Sequence, residues 1–262
     1  MRFAFTSFSR PHATLEELIT LAQELGYDAI EPRAQSQHAH GVELIATADQ
    51  RRTIRSKLHN TGISICCIGT GCTLGTFNAV KQVDLAKQFL DLAADIGCPC
   101  IRVFAGVDAT TEPLIDSLRQ LAPVGLSRKL CICLETHDSH TAPPLVANVM
   151  REVDAPTVGV VWDVMHTQRQ GKQSMADAYR ILAPWIRHVH VHDGLDTLEK
   201  LHMLPIGEGD FDHRAVLRLL KQSNYPGYIS GEWIAGCMDE SFFVKHLERE
   251  IVTLKRLEQE FA

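Results

Sequence analysis

Several features are missing from this 262-residue sequence, and each absence narrows the class of protein. No apolar run approaches the roughly 18 residues that a membrane-spanning helix needs, so we expect no membrane partner. The opening residues 1–6 turn polar too quickly for a secretory signal, which favours a cytoplasmic location. The formal charge of −6 argues against a nucleic acid partner, because such binding relies on Lys and Arg contacts to phosphate.

The eight cysteines form no C-x-x-C pair, and most of them lie in apolar, strand-like runs. They are Cys66, Cys67, Cys72, Cys98, Cys100, Cys131, Cys133 and Cys237. A thiol in such a run behaves as a small hydrophobic group. Since no secretion signal is visible, we predict reduced core residues of a cytosolic protein rather than disulfides.

Strand-like and helix-like segments alternate along the whole chain. Strands are predicted at 3–6, 29–31, 63–68, 100–104, 130–134, 158–162, 186–189 and 228–231. Helices are predicted at 14–25, 47–60, 77–96, 112–124, 144–152, 174–182, 212–223 and 240–259. Eight such pairs, with strands apolar on both faces, predict a single (β/α)₈ barrel domain over residues 1–262. An open, doubly wound sheet is the alternative, but no glycine-rich dinucleotide fingerprint follows the first strand.

Four ligand-type side chains come at the ends of the last four predicted strands: Glu135, Asp163, His190 and Glu232. Active sites of (β/α)₈ barrels lie at the carboxyl ends of the strands, so these side chains should converge. A charged residue after a single strand is weak evidence for a functional site, because loops are generally polar. Four ligand-type residues after four adjacent strands are much less expected by chance. Three carboxylates and an imidazole predict a site for a divalent metal.

The motifs around these residues resemble those of the xylose isomerase-like barrel superfamily of sugar isomerases and epimerases. They are Leu134-Glu135-Thr136-His137, Trp162-Asp163-Val164-Met165-His166, His188-Val189-His190-Val191-His192-Asp193, Gly207-Glu208-Gly209-Asp210-Phe211-Asp212 and Gly231-Glu232-Trp233. The resemblance implies that Glu135, Asp163, His190 and Glu232 hold one divalent ion, which would be Mn, Mg, Co or Zn. It selects His190 because the superfamily's H-x-K-D pattern falls on residues 190–193, and it implies that His166 contacts the substrate.

The sequence departs from that superfamily in three places. The lysine of H-x-K-D is His192 here, so no role of that lysine transfers. Ketohexose 3-epimerases have a second Glu six residues after the first, where this chain has Thr141, and an Arg soon after the metal-binding His, which residues 191–197 lack. These departures favour a branch nearer to inosose-processing or hydroxypyruvate isomerase-like enzymes.

Five residues are candidates for substrate binding: His40, Arg102, His137, His166 and Glu208. His40 and His137 lie in predicted loops, where they either recognise substrate or are simply solvated. Arg102 lies within a predicted strand and is either a pocket cation for an acidic or phosphorylated group or a partner in a buried salt bridge. The glycines around Glu208 either allow the backbone conformation of a loop or form a phosphate-binding nest. Asp212 is predicted to cap the following helix.

Together these observations predict a divalent-metal-dependent isomerase or epimerase of a small sugar, keto-polyol or related hydroxy-keto substrate. Glu135 and Glu232 would transfer protons through a metal-stabilised enediolate, with His166 orienting a substrate hydroxyl. Keto-polyol dehydration is a related reaction that the same residues permit. The alternatives are a non-catalytic metal- or sugar-binding protein and an apurinic-site endonuclease of the same superfamily. The sequence also permits a homo-oligomer.

Overall fold

A computed structural model describes residues 1–197, 201–233 and 240–261, with side chains from residue 245 onward in the last range. The strands are β1 Arg2–Thr6, β2 Ala29–Glu31, β3 Ser64–Ile65, β4 Ile68–Thr73, β5 Cys100–Phe104, β6 Cys131–Glu135, β7 Val158–Asp163, β8 Ile186–Val191, β9 Asp193–Asp196, β10 Leu201–Leu204 and β11 Tyr228–Gly231. The α-helices are α1 Leu15–Leu25, α2 Ala48–Thr61, α3 Ala79–Ile96, α4 Thr111–Arg128, α5 Pro143–Val153, α6 Val164–Arg169, α7 Met175–Leu182, α8 His213–Gln222 and α9 Glu240–Gln259.

Nine strands form one nearly closed parallel sheet in the order β3-β2-β1-β11-β8-β7-β6-β5-β4. Strands β3 and β4 occupy the two edges of that order, and a parallel bridge between Arg33 and Gly69 joins β4 to the chain just after β2. Because β3 and β4 are two parts of the third predicted strand, eight strand positions surround the core. The prediction of a (β/α)₈ barrel is confirmed.

The third strand differs from its prediction. We expected one strand at 63–68, whereas the structure interrupts it at Cys66 and Cys67 and continues it to Thr73. The apolar run ends at Ile68, so the pattern gave no sign that Gly69 and Gly71 are also extended. A β-carbon at Gly71 would lie 3.3 Å from an Arg33 Nη atom, which shows that the two glycines leave room for arginine side chains.

Local signals explain most helix boundaries. Thr14 and Thr47 each form a capping box at the start of α1 and α2, and Gly26 and Gly62 end these helices in the left-handed region. Helix α4 continues past Pro123 to Arg128, four residues beyond its predicted end. The short helix α6 and the β9–β10 hairpin were not predicted. None of the helices in the described ranges is long and apolar enough to cross a membrane.

The cysteines lie where their apolar surroundings indicated. Six of the seven described cysteines are buried, Cys131 is partly buried, and all seven are free thiols. Cys67, Cys100 and Cys133 form a small cluster with Val161 inside the barrel. Cys237, also predicted to be a core residue, lies outside the described residues.

Candidate metal centre

The four predicted metal ligands converge at the carboxyl end of the barrel. Glu135 ends β6, Asp163 ends β7, His190 lies near the end of β8 and Glu232 follows β11. One ligand atom from each lies within 4.8 Å of all the others, and the four residues are between 0% and 7% exposed. His190 Nδ1 is 2.9 Å from Glu135 Oε1 and 3.5 Å from Glu232 Oε2. Ligand atoms about 2.1 Å from one ion lie roughly 3.0–3.4 Å apart, so this spacing fits a single divalent cation.

A fourth buried acid beside this cluster, Glu31 at the end of β2, controls the orientation of His190. The Nε2 atoms of His190 and His188 contact Glu31 Oε2 at 3.0 and 2.8 Å. An ionised carboxylate only accepts hydrogen bonds, so His190 donates through Nε2 and its Nδ1 faces Glu135 and Glu232. A carboxylate that accepts from the second nitrogen of a histidine is also found behind histidine ligands in metalloproteins. The sequence pattern did not pair Glu31 with the metal-ligand candidates, although Glu31 also lies at the end of a strand.

The electrostatics of the cluster keep its acids ionised. Burial opposes ionisation of Glu135, but the charges of Arg102 and His190 lower its pKa to about 2. For Asp163, the charges of His192 and His166 likewise outweigh burial and hold the pKa well below its usual range. Ionised carboxylates and an imidazole offer the oxygen and nitrogen donors that divalent ions bind. The donor set therefore fits the divalent ion that the sequence predicted.

Arg102 lies beside the cluster and forms the buried salt bridge that was one of its two predicted roles, whereas binding of an acidic group stays a prediction. It is 2% exposed, and its Nη1 is 3.0 Å from Glu135 Oε2, which makes a buried ion pair. Its guanidinium carbon is also 3.9 Å from the centre of the Phe104 ring. Its Nε has no hydrogen-bond acceptor among the described residues, and the contact of Nη1 with Glu135 is an ion pair without hydrogen-bond geometry. The side chain therefore balances the charge of Glu135 and also lines the cavity.

Three histidines lie next to the cluster on the cavity side. His192 Nε2 is 3.0 Å from Asp163 Oδ2, and the rings of His137 and His166 are 4.2 Å apart. Burial lowers the pKa of His137, but its hydrogen bond to Asp138 and the charges of Glu135 and Asp163 raise the pKa to about 9. These neighbours favour the protonated imidazole of His137, which lines the cavity.

A cavity of about 400 Å³ adjoins the cluster and is lined by two of the four candidate ligands, Glu135 and Glu232. Its lining combines charged and apolar side chains: Phe8, Arg33, Arg102, Phe104, Glu135, His137, Met165, His166, Arg169, His192, Leu201, Met203, Glu232 and Trp233. The β9–β10 hairpin contributes Leu201 and Met203. An ion pair of 2.6 Å between Arg169 and Asp196 connects this hairpin to α6. The volume and the mixed lining suit a small molecule with polar and apolar surfaces.

The structure brings three of the five substrate-binding candidates into this cavity, namely Arg102, His137 and His166. His40 is buried elsewhere, where it accepts a hydrogen bond from the Val42 N–H and donates one to the Arg33 carbonyl. Burial lowers the pKa of His40 to about 4, so it is neutral. Glu208 is half exposed and pairs with Arg249 on α9. Neither His40 nor Glu208 lines the cavity.

The glycine-rich segment after the hairpin has a structural role. Asp193 is buried, and its carboxylate accepts hydrogen bonds from the N–H groups of Gly207 at 2.7 Å and Gly209 at 3.2 Å. These N–H groups are occupied, which favours loop geometry over a phosphate nest. Asp212 caps α8 by accepting from the Ala215 N–H at 2.9 Å, as predicted.

Comparison with known proteins agrees with this geometry. The sequence model of the family described as xylose isomerase-like TIM barrel matches residues 19–254. The chain belongs to this family. All four metal-ligand candidates lie within the matched residues.

Solved structures with the same fold match nearly the whole chain. The probable 3-DHS dehydratase AsbF of Bacillus anthracis is 20% identical, with a TM-score of 0.81 over 97% of this chain and 99% of that one. L-ribulose 3-epimerase is 14% identical, with a TM-score of 0.81 over 99% and 95%. The 3-keto-D-glucoside 4-epimerase YcjR of E. coli is 18% identical, with a TM-score of 0.79 over 98% and 99%. At these identities the likeness shows a shared fold.

A curated relative matches over a shorter stretch. The uncharacterized protein MJ1311 of Methanocaldococcus jannaschii is 30% identical over 91 residues, which are 34% of this chain. The match spans only 30% of that relative's length.

Proposed function

We propose that this protein is a divalent-metal-dependent isomerase or epimerase of a small sugar or related hydroxy-ketone. The observation that carries the proposal is the convergence of His190 Nδ1 with carboxylates from three other strands beneath a cavity of small-molecule size. Two of those carboxylates, Glu135 and Glu232, themselves line the cavity. The same groups can therefore hold a metal and reach a substrate.

The structural relatives support this class of reaction. They include a ribulose epimerase, a ketoglucoside epimerase and a D-psicose 3-epimerase with a structure in the presence of D-fructose. The acidic net charge of −6 disfavours the endonuclease alternative.

Sugar isomerisation and epimerisation begin with removal of a weakly acidic proton from the carbon beside a carbonyl. A bound divalent ion supplies stabilisation of the negative charge that develops on the substrate oxygens. Glu135 and Glu232 come from strands β6 and β11, on different sides of the cavity floor, and their ionised carboxylates can accept and return the proton. Two bases on opposite faces of the substrate carbon suit epimerisation, whereas one suits isomerisation.

The histidines and Arg102 would position the substrate. His166 and His137 line the cavity close to Asp163, and the protonated His137 can donate a hydrogen bond to a substrate oxygen. Arg102 holds Glu135 through the buried ion pair, which fixes the direction in which that carboxylate points. The apolar side chains Phe104, Met165 and Trp233 limit access of water to the reacting carbon.

A related dehydration has its own supporting observation. It begins with the same proton removal but ends with loss of a hydroxyl, which needs a proton donor. His137 lines the cavity, and the 2.8 Å contact of its Nδ1 with Asp138 favours the protonated imidazole that this step needs. The resemblance to a probable dehydratase also favours keeping this reaction in the test.

The test is a panel of keto-sugars, inososes and hydroxypyruvate incubated in D₂O with Mn²⁺, Mg²⁺, Co²⁺ or Zn²⁺. The proposal predicts incorporation of solvent deuterium into at least one substrate, at the carbon beside the carbonyl, in a metal-dependent manner. Mass spectrometry separates isomerisation or epimerisation, which conserve the formula, from loss of water. Binding of substrates and metal without any exchange would instead support the non-catalytic alternative.

A further inference from the structure

Two arginines lie side by side at the cavity wall next to the metal-ligand cluster. Arg33 follows β2, and Arg102 lies on β5. A β-carbon added at Gly69 would lie 3.0 Å from Arg102 Nη2 and 3.4 Å from Arg33 Cδ. The absence of a side chain at Gly69 thus allows both guanidinium groups to approach the same part of the cavity.

The charges of the two arginines are balanced differently. Arg102 forms the buried ion pair with Glu135. Arg33 has no carboxylate within ion-pair distance among the residues that the structure describes, and its Nη1 contacts only the carbonyl oxygens of Ala34 and Gly69. Glu135 and Glu232 are the acids that share the cavity with Arg33, and both belong to the metal-ligand cluster.

The surroundings of Arg33 make its lack of a counter-ion costly. It is only partly exposed, lines the cavity and lies beside a second guanidinium. Burial, followed by the charge of Arg102, lowers the pKa of Arg33 to about 10, so it remains charged at neutral pH. Charges held out of water are ordinarily paired. An anion that enters the cavity would supply the missing partner.

We propose that Arg33 binds an anionic group of the substrate, a carboxylate or a phosphate, while the reacting hydroxy-ketone carbons lie over the metal-ligand cluster. This inference rests on the proposed function and specifies its substrate class. The planar fork of a guanidinium matches the paired oxygens of either anion. The guanidinium of Arg102 is already paired with Glu135. Arg102 thus stabilises Glu135, and Arg33 is the residue that selects an acidic substrate.

A competing explanation is that Arg33 is purely structural and connects the end of β2 to β4. Its contact with the Gly69 carbonyl at 3.3 Å and the bridge between these two residues support such a role. The two explanations predict different binding behaviour. A structural role changes the affinity for all ligands together, whereas a recognition role changes only the affinity for anions.

The experiment uses three compact hydroxy-ketones that differ in charge: dihydroxyacetone, hydroxypyruvate and dihydroxyacetone phosphate. Their dissociation constants are measured by calorimetry on the Mn²⁺-loaded full chain. In the wild type we expect at least one anionic ligand to bind about 10- to 100-fold more tightly than dihydroxyacetone, as expected for hydrogen bonds to a charged group. The better of the two anions identifies the carboxylate or the phosphate as the preferred group.

Arg33→Gln should abolish most of this preference while the affinities for Mn²⁺ and for dihydroxyacetone change little. Because an anion can also contact the metal directly, the comparison with the variant isolates the contribution of Arg33. Arg33→Lys, which keeps the charge but not the fork, should retain part of the preference, and it replaces Arg33→Gln if that variant fails to fold. The control is Arg119→Gln on α4, an exposed arginine paired with Glu152.

Absence of an anion preference in the wild type, or an unchanged preference in both Arg33 variants, would overturn the inference. Failure of the proposed function looks different. In that case the anion preference and its loss in Arg33→Gln would be observed, but no ligand would exchange deuterium with solvent.

Discussion

The contact between Glu31 and His190 allows a quantitative test of the metal centre. Two imidazole N–H groups, from His188 and His190, share the two oxygens of the Glu31 carboxylate at 2.8–3.1 Å. Glu31→Gln keeps the shape of the side chain but leaves one acceptor oxygen for two donors and removes the negative charge. His190 Nε2 then loses its charged partner, and its Nδ1 becomes a weaker and less well oriented ligand.

The expected size follows from the general effect of such partners on metal affinity. Loss of a carboxylate behind a ligating histidine costs about 10- to 100-fold in affinity, or about 1.4–2.8 kcal/mol. Because Glu31 is 1% exposed, solvent screening does not diminish this effect. We therefore expect the Kd for Mn²⁺ to rise by that factor in Glu31→Gln.

The assay is calorimetric titration of the metal-free protein with Mn²⁺, checked by competition with a chelator. The control is Glu152→Gln on the exposed face of α5, which should bind Mn²⁺ like the wild type. Circular dichroism and thermal melting establish that each variant is folded. If folded Glu31→Gln binds Mn²⁺ with wild-type affinity, then Glu31 does not prepare His190 for a metal, and the reasoning fails.

Three further predictions concern turnover and stability. Glu135→Gln and Glu232→Gln should each lower kcat by about 10²–10⁴ and change KM less, because proton transfer occurs in the transition state. Near-wild-type deuterium exchange in both variants, at unchanged metal occupancy, would exclude the two glutamates as bases. His166→Ala should raise KM as well as lower kcat because its role is positioning; steady-state kinetics with the reactive panel compound checks this, and an unchanged KM would argue against that role. Burial raises the pKa of Glu250 from 4.5 in the unfolded chain to about 7 in the folded protein. The folded protein therefore favours the protonated Glu250, and the stability that this preference contributes is lost as the pH rises from 4.5 through about 7. Relative to Glu250→Gln, the wild-type unfolding free energy should therefore fall by on the order of 3 kcal/mol between pH 4 and pH 8, as measured by urea denaturation, and parallel pH profiles would refute this.

Much of the barrel was predictable from the sequence because its signals are local. Continuous apolar runs predict strands buried on both faces, and the threonine caps and terminal glycines mark the helices. The same reasoning predicted that the metal-ligand candidates lie together, because every (β/α)₈ barrel brings the carboxyl ends of its strands together. Positions at strand ends indicated Glu135, Asp163 and Glu232, whereas the choice of His190 over the neighbouring histidines rested on the resemblance.

The remaining features depend on contacts between residues far apart in the sequence. Glu31 and His190 are separated by 159 positions, and no local pattern pairs them. The extension of the third strand through Gly69 depends on two arginine side chains that occupy the adjacent space. Helix α6 was missed because Asp163 was interpreted only as a ligand, although it also caps that helix by accepting from the His166 N–H at 2.8 Å. Likewise, burial of His40 and pairing of Glu208 with Arg249 cannot be derived from loop composition.

The central claim is that Glu135, Asp163, His190 and Glu232 form one divalent-metal centre. It is tested most directly by crystals of the Mn²⁺-loaded protein measured at the manganese absorption edge. We predict an anomalous difference peak roughly 2.0–2.3 Å from His190 Nδ1 and from a carboxylate oxygen of each of the three acids. A loaded crystal with no peak among these four residues, or with its main peak elsewhere in the chain, would contradict the account.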